Sequence, residues 1–193
     1  MTNTLSLQGS FVERHGLWDD VQQAQAQEML AAIESDDLEV VRFVFADQHG
    51  LTRGKAVNRD SIADIMVDGC TMTSTLVLKD TSHRTVLPVW TAGAGINSPR
   101  LAGAADLVMV ADPATFRRLP WAPTNGWVLC DLHYPDGESV GLSTRQLLRR
   151  ALDRLENHGL KYISGLEIEF HLFRLIDRNL NAQDCTQPGT PPT

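Results

Sequence analysis

Residues 40–46, Val-Val-Arg-Phe-Val-Phe-Ala, are β-branched or aromatic at five of the seven positions, all but one arginine and the closing alanine, and they run into Asp47-Gln48-His49-Gly50. The first segment has the chemistry of a strand, the second that of a tight turn in which Gly50 takes a positive φ. Residues 51–57 then return as a partner strand. A hairpin needs a hydrophobic layer against one face, and residues 21–34, helix formers without Gly or Pro, supply an adjacent helix with Asp19 or Asp20 as its cap. Further strands are expected at 71–78, 107–110 and 127–132, and a short helix at 60–67. Residues 79–96, with Pro88, Gly93 and Gly95, form a loop. This order predicts an α+β fold: a mixed antiparallel sheet with one or two packed helices.

The composition narrows the function classes. The 193 residues are 42% hydrophobic, enough for one core or a core and part of a second. A net charge of -7 lacks the Lys and Arg excess with which nucleic-acid modules neutralise phosphate, so no nucleic-acid partner is expected. The first 18 residues contain Glu13, Arg14 and His15 and no apolar signal region, and no run has the length of a membrane span. Cys70, Cys130 and Cys185 are odd in number and far apart. These features predict a cytoplasmic chain with no membrane partner. Cys130, within Trp127-Val128-Leu129-Cys130, is expected to be a buried structural thiol.

The loop at 134–138 marks an expected division of the chain: a helical extension at 1–35, a first domain at 36–136, and a second at 137–193 that begins without being completed. Ser143 and Gln146 have the spacing of a capping box ahead of Leu147, Leu148, Ala151, Leu152 and Leu155, and Gly159 stands at the stop. A strand is expected next. Its Gly165-Leu166-Glu167-Ile168-Glu169-Phe170 places Glu167 and Glu169 on one face about 7 Å apart, with Leu166, Ile168 and Phe170 facing a core. Two adjacent carboxylates stay ionised together when cations neutralise them, and hard oxygen donors favour Mg²⁺ or Mn²⁺. A solvated acidic face on an edge strand is the alternative.

The segment Gly165 to Phe173 resembles the G-x-E-x-E-F-x-L-F block of glutamine synthetases. Asp47 to Lys55 is similar to that family's D-x-x-G-x-x-R-G-K hairpin, and Asp106 to Thr115, Leu119-Pro120-Trp121 and Val128 to Asp131 are similar to its intervening blocks, all in the family's order. The resemblance implies a β-grasp-like domain followed by the start of a catalytic α/β domain. It also implies an ATP-dependent ligase joining the γ-carboxylate of glutamate to ammonia or an amine through an acyl phosphate, with ATP as co-substrate. Glu169 would ligate the cation on the glutamate and amine side, and Glu167 the cation at the transferred phosphoryl group. A homo-oligomer is implied for the complete protein.

Two departures from the family pattern follow. Thr73, in Gly69-Cys70-Thr71-Met72-Thr73-Ser74-Thr75, stands where glutamine-forming members carry an aspartate for ammonium, which points to a larger amine such as a monoamine or polyamine. Residues 79–85 would reshape the amine entrance. The family's histidine-bearing nucleotide loop and phosphate-binding arginines are not in this sequence, so no catalytic residue is assigned and the chain alone is expected to be inactive. A noncatalytic binding or regulatory module, or an inactive fragment, is the other reading. His49, His83, His133 and His171 lack metal spacing, Trp121 suits a core or interface anchor, and Arg145 suits a structural charge partner.

Overall fold

The computed structural model describes residues 5–94, 96 and 98–176. Six strands form its sheet: β1 (Val40–Ala46), β2 (Thr52–Asn58), β3 (Cys70–Thr73), β4 (Asp106–Ala111), β5 (Arg117–Leu119) and β6 (Ala122–His133). The spatial order is β2-β1-β6-β4-β3, with β5 also paired to β6. The expected hairpin is present, with Val44 opposite Gly54 in an antiparallel β1–β2 register. β1 lies parallel to β6, pairing Val40 with Asn125 and Val44 with Leu129, while the remaining ladders are antiparallel.

Alternation puts Val41, Phe43 and Phe45 of β1 and Val128, Cys130 and Leu132 of β6 on one buried face. Helix α1 (Phe11–Arg14) adds Phe11 and Val12 to this core, and α2 (Asp20–Ser35) adds Ala26, Met29, Leu30 and Ile33. The α2 start is a capping box: Asp19 Oδ1 accepts from Gln22 N at 2.8 Å, and Asp19 N donates to Gln22 Oε1 at 3.2 Å. Helix α3 (Ile62–Asp68) contributes Ile62, Met66 and Val67 and ends at Gly69, whose φ is 76°. Cys70 and Cys130 are free thiols, both buried, and burial pushes both upward in pKa. Cys185 lies outside the described residues. Among the described residues no helix is long and apolar enough to cross a membrane.

The structure corrects several sequence expectations. The strand expected at 71–78 stops at Thr73, and Ser74–Leu78 is a 3-10 helix. Thr73 Oγ1 accepts from Thr75 N, turning the chain, and Thr73 is opposite Asp106, the first residue of β4, so the ladder has no partner further on. Ser143 precedes α4 (Thr144–Asn157) but makes no side-chain cap. Gln146 is drawn instead to the sheet, where its Oε1 accepts from Leu132 N. Gly159 does end the turn, with φ 71° and Leu160 N donating to Leu155 O. Trp121 is 77% exposed and is not a core residue.

The strand expected around Glu167 and Glu169 is absent. Residues 160–175 carry no ladder, and Leu166, Ile168 and Phe170 are 86%, 71% and 76% exposed rather than packed. Alternating side chains specify a strand only where a neighbouring strand takes up the backbone N–H and C=O groups. No described strand adjoins this segment.

Candidate functional site

The acidic segment leaves α4 through Gly159. Glu167 and Glu169 are exposed and enter no ion pair among the described residues. No group of three or more His, Cys, Asp or Glu side chains is placed to hold a metal ion among those residues. Two carboxylates match Mg²⁺ or Mn²⁺ in donor type, since both ions take hard oxygen ligands. They do not supply the ligand number, and a cation held by them would keep most of its water. His171 lies in the same exposed segment, its ring 6.1 Å from that of Phe173.

The hairpin block is built around a buried carboxylate. Asp47 Oδ1 accepts from His49 N at 2.9 Å and Leu51 N at 3.0 Å, fixing the turn, while Oδ2 accepts from Arg53 Nε at 2.6 Å. Burial alone would raise the Asp47 pKa, but Arg53 and the two backbone donors outweigh it and hold the carboxyl below its ordinary value. The same guanidinium reaches the 79–96 loop, donating to Asp80 O at 2.9 Å and lying 2.7 Å from His83 Nδ1. A guanidinium only donates, so that imidazole nitrogen is the acceptor. His83 has φ 63°, and Asp80 caps its turn by accepting from Ser82 N and Arg84 N. Arg53 therefore ties the 79–96 loop to the turn between β1 and β2. Gly54 follows because the backbones come close: a Cβ there would lie 1.9 Å from Phe43 O and 2.8 Å from Val44 Cα.

Thr73 closes β3, its hydroxyl 3.1 Å from that of Thr75. It brings no negative charge. Ser74 is fully buried, and its hydroxyl has no hydrogen-bond partner among the described residues. On the face of the sheet turned away from the core an open cavity of about 470 Å³ is lined by Arg42, Val44, Lys55, Leu119, Trp121 and Trp127 among others. Sequence reasoning missed this cleft, although the alternation that buries Val41 and Phe43 necessarily turns Arg42 and Val44 outward.

A second set of charges joins α4 to the sheet. Asp112, just past β4, and Asp131, on β6, have side chains 8% and 13% exposed. Arg145 donates to both carboxylates, at 2.8 Å for Asp131, and Arg149 donates to Asp131 at 2.6 Å and Asp112 at 2.8 Å. The structural role expected for Arg145 is the one observed. Arg149 and the two aspartates were not singled out; helical i, i+4 spacing of the arginines was the available signal. Beside them His133 Nδ1 lies 2.8 Å from Gly137 O, and burial lowers its pKa against the raising influence of Gly137 O and Asp131.

No family model matches the chain. Curated relatives do match. It is 35% identical over 185 residues to a γ-glutamylanilide synthase of Acinetobacter sp., covering 94% of this chain and 37% of that protein. It is 33% identical over 174 residues to the γ-glutamylethanolamide synthetase GlnA4 of Streptomyces coelicolor, covering 86% of this chain and 34% of that protein. A glutamine synthetase of Methanosarcina mazei is 28% identical over 166 residues, covering 84% and 33%. The chain thus spans about a third of the length of these relatives. A solved ligand-free GmaS structure superposes with a TM-score of 0.51 at 23% identity, over 66% of this chain and 26% of that one, a likeness of fold. With its sequence blocks in order and matches to γ-glutamyl amine synthetases and glutamine synthetases over most of its length, the chain belongs to the glutamine synthetase family.

Proposed function

We propose that the chain forms part of an ATP-dependent ligase that joins the γ-carboxylate of glutamate to an amine. The carrying observation is the 35% identity to a γ-glutamylanilide synthase over 94% of the chain, a span that includes the acidic segment of Glu167 and Glu169. In this reading the carboxylate oxygen attacks the terminal phosphorus of ATP, releasing ADP. The amine nitrogen then attacks the acyl carbon, phosphate leaves, and the nitrogen loses a proton. A divalent cation, Mg²⁺ or Mn²⁺, would supply charge neutralisation at the carboxylate and phosphoryl oxygens. Glu167 would hold the cation at the phosphoryl group and Glu169 the one on the glutamate and amine side, with the remaining ligands supplied from outside the described residues.

Residues 36–136 are proposed as a β-grasp-like domain following a helical extension at 1–35, and residues 137–193 as the start of the catalytic domain. The complete protein is proposed to be a cytoplasmic homo-oligomer. Thr73 in place of an ammonium-binding aspartate favours an amine larger than ammonia, because a neutral hydroxyl cannot supply the charge that attracts ammonium. The matched relatives named for anilide and ethanolamide products support that choice. A noncatalytic binding module is the second reading, favoured by the closed core beneath the sheet and by the exposure of both glutamates.

Mn²⁺ titration of the 193-residue chain, followed by electron paramagnetic resonance, tests the metal assignment. Weak binding that falls in Glu167→Ala and in Glu169→Ala, and disappears in the double variant, is expected. Equal binding by wild type and double variant would remove the assignment and leave the binding-module reading in front.

A further inference from the structure

Helix α4 is held to the sheet differently from α2 and α3. No residue of α4 is buried, and Leu147 and Leu148 are each 55% exposed. Its attachment is polar: the crossed pairs of Arg145 and Arg149 with Asp112 and Asp131, Gln146 to Leu132 N, and Thr144 Oγ1 to Ala46 O at 2.9 Å. Both acids belong to the rigid side, one on β6 and one at the end of β4. Both arginines belong to the helix, one turn apart. Each guanidinium touches both carboxylates, so the pattern fixes the rotation and the height of the helix, which a single pair would not. The helix in turn runs through Gly159 into the segment of Glu167 and Glu169.

We propose that Arg145 and Arg149 are positioning residues: with Asp112 and Asp131 they form an ionic joint through which the sheet sets the direction of α4 and the point from which the acidic segment departs. The joint stands on these contacts alone; what its placement does for chemistry rests on the metal reading above. Because the charges cancel within the cluster and two of the four are nearly covered, losing one member leaves a charge unpaired. The helix then loses its orientation without loss of the core, which contains none of its side chains.

Hydrogen exchange and pulsed electron paramagnetic resonance on the 193-residue chain separate this from a general stabilising role. Nitroxides at Asp60→Cys, in the 3-10 turn Arg59–Ser61 that directly follows β2, and Glu156→Cys, both exposed sites, in a Cys185→Ser background report the distance between that end of β2 and the helix. In Asp131→Asn the distance distribution is expected to broaden, and α4 amides to lose about tenfold or more of their protection, while β1 and β6 amides keep theirs. Arg149→Ala should act alike. Arg150→Ala, whose partner is Ser139, should change neither measurement. An unaltered distribution in Asp131→Asn overturns the proposal, as does equal loss of protection in sheet and helix. The Mn²⁺ titration is independent of both, so failure of the metal reading is scored separately.

Discussion

Replacing Asp47 by alanine removes three acceptor contacts at once and strands a cation. The Asp47 side chain is fully covered and that of Arg53 is 9% exposed, so the guanidinium left behind has little access to water. Breaking such a buried pair from one side costs about 3–5 kcal/mol, because desolvation of the survivor is no longer compensated. Asp47→Asn keeps an acceptor for His49 N and Leu51 N but loses the charge, and about 1–3 kcal/mol is expected. Against a total stability of about 5–15 kcal/mol, the alanine variant sits near the edge of folding. Urea unfolding of the chain, followed by circular dichroism at pH 7, gives both values if the m-values are unchanged. The carboxyl pKa is depressed in the folded state, so its stabilisation is present above the unfolded value near 3.9 and fades as pH falls through the lower folded value. The wild type should therefore show an acid-dependent loss below about pH 4 that Asp47→Asn lacks. A cost under about 1 kcal/mol for Asp47→Ala would refute the argument that this pair is the hub of the hairpin and loop.

Two further outcomes follow from the same structure. Gly54→Ala drives a Cβ into Phe43 O, and with backbone on both sides the strands must separate; a loss of about 3 kcal/mol in urea unfolding is expected, with the β1 and β2 amides exchanging fastest. His133 has its folded pKa lowered by burial, so the unfolded chain binds the proton more tightly, and stability that is whole above about pH 6.5 declines on acidification toward the folded value. His133→Gln should flatten the urea midpoint between pH 7.5 and 5.5, read as the difference from wild type at the two values.

Local chemistry made some elements legible and left others hidden. The β1–β2 hairpin could be anticipated because residues 40–46 fit a pleated surface and Gly50 supplies the turn, and α2 because residues 21–34 are helix formers without Gly or Pro behind an aspartate able to cap them. β5, Arg117-Arg118-Leu119, is too short to have a period, and β6 begins at Ala122, Pro123 and Asn125, residues with turn chemistry that are accepted because their ladder lies beside β5 and the end of β1. Gln146 failed as a cap because a sheet amide took its oxygen, a competition that spacing does not reveal. The acidic block was legible as a motif but not as a strand, since an alternating pattern does not carry its own neighbours.

The central place of β6 bears on how the chain assembles as it is made. β6 pairs with β1, β4 and β5, yet it is the last of the six strands in sequence. Until residues 122–133 have left the ribosome, the β1–β2 hairpin and the β3–β4 pair share no ladder and each shows an open edge. Closing the β1–β6 contact, Val40 with Asn125, spans most of the sheet's sequence, and contacts of that separation form slowly. Until β6 closes the sheet, those two open edges are the surfaces through which the growing chain is exposed to aggregation.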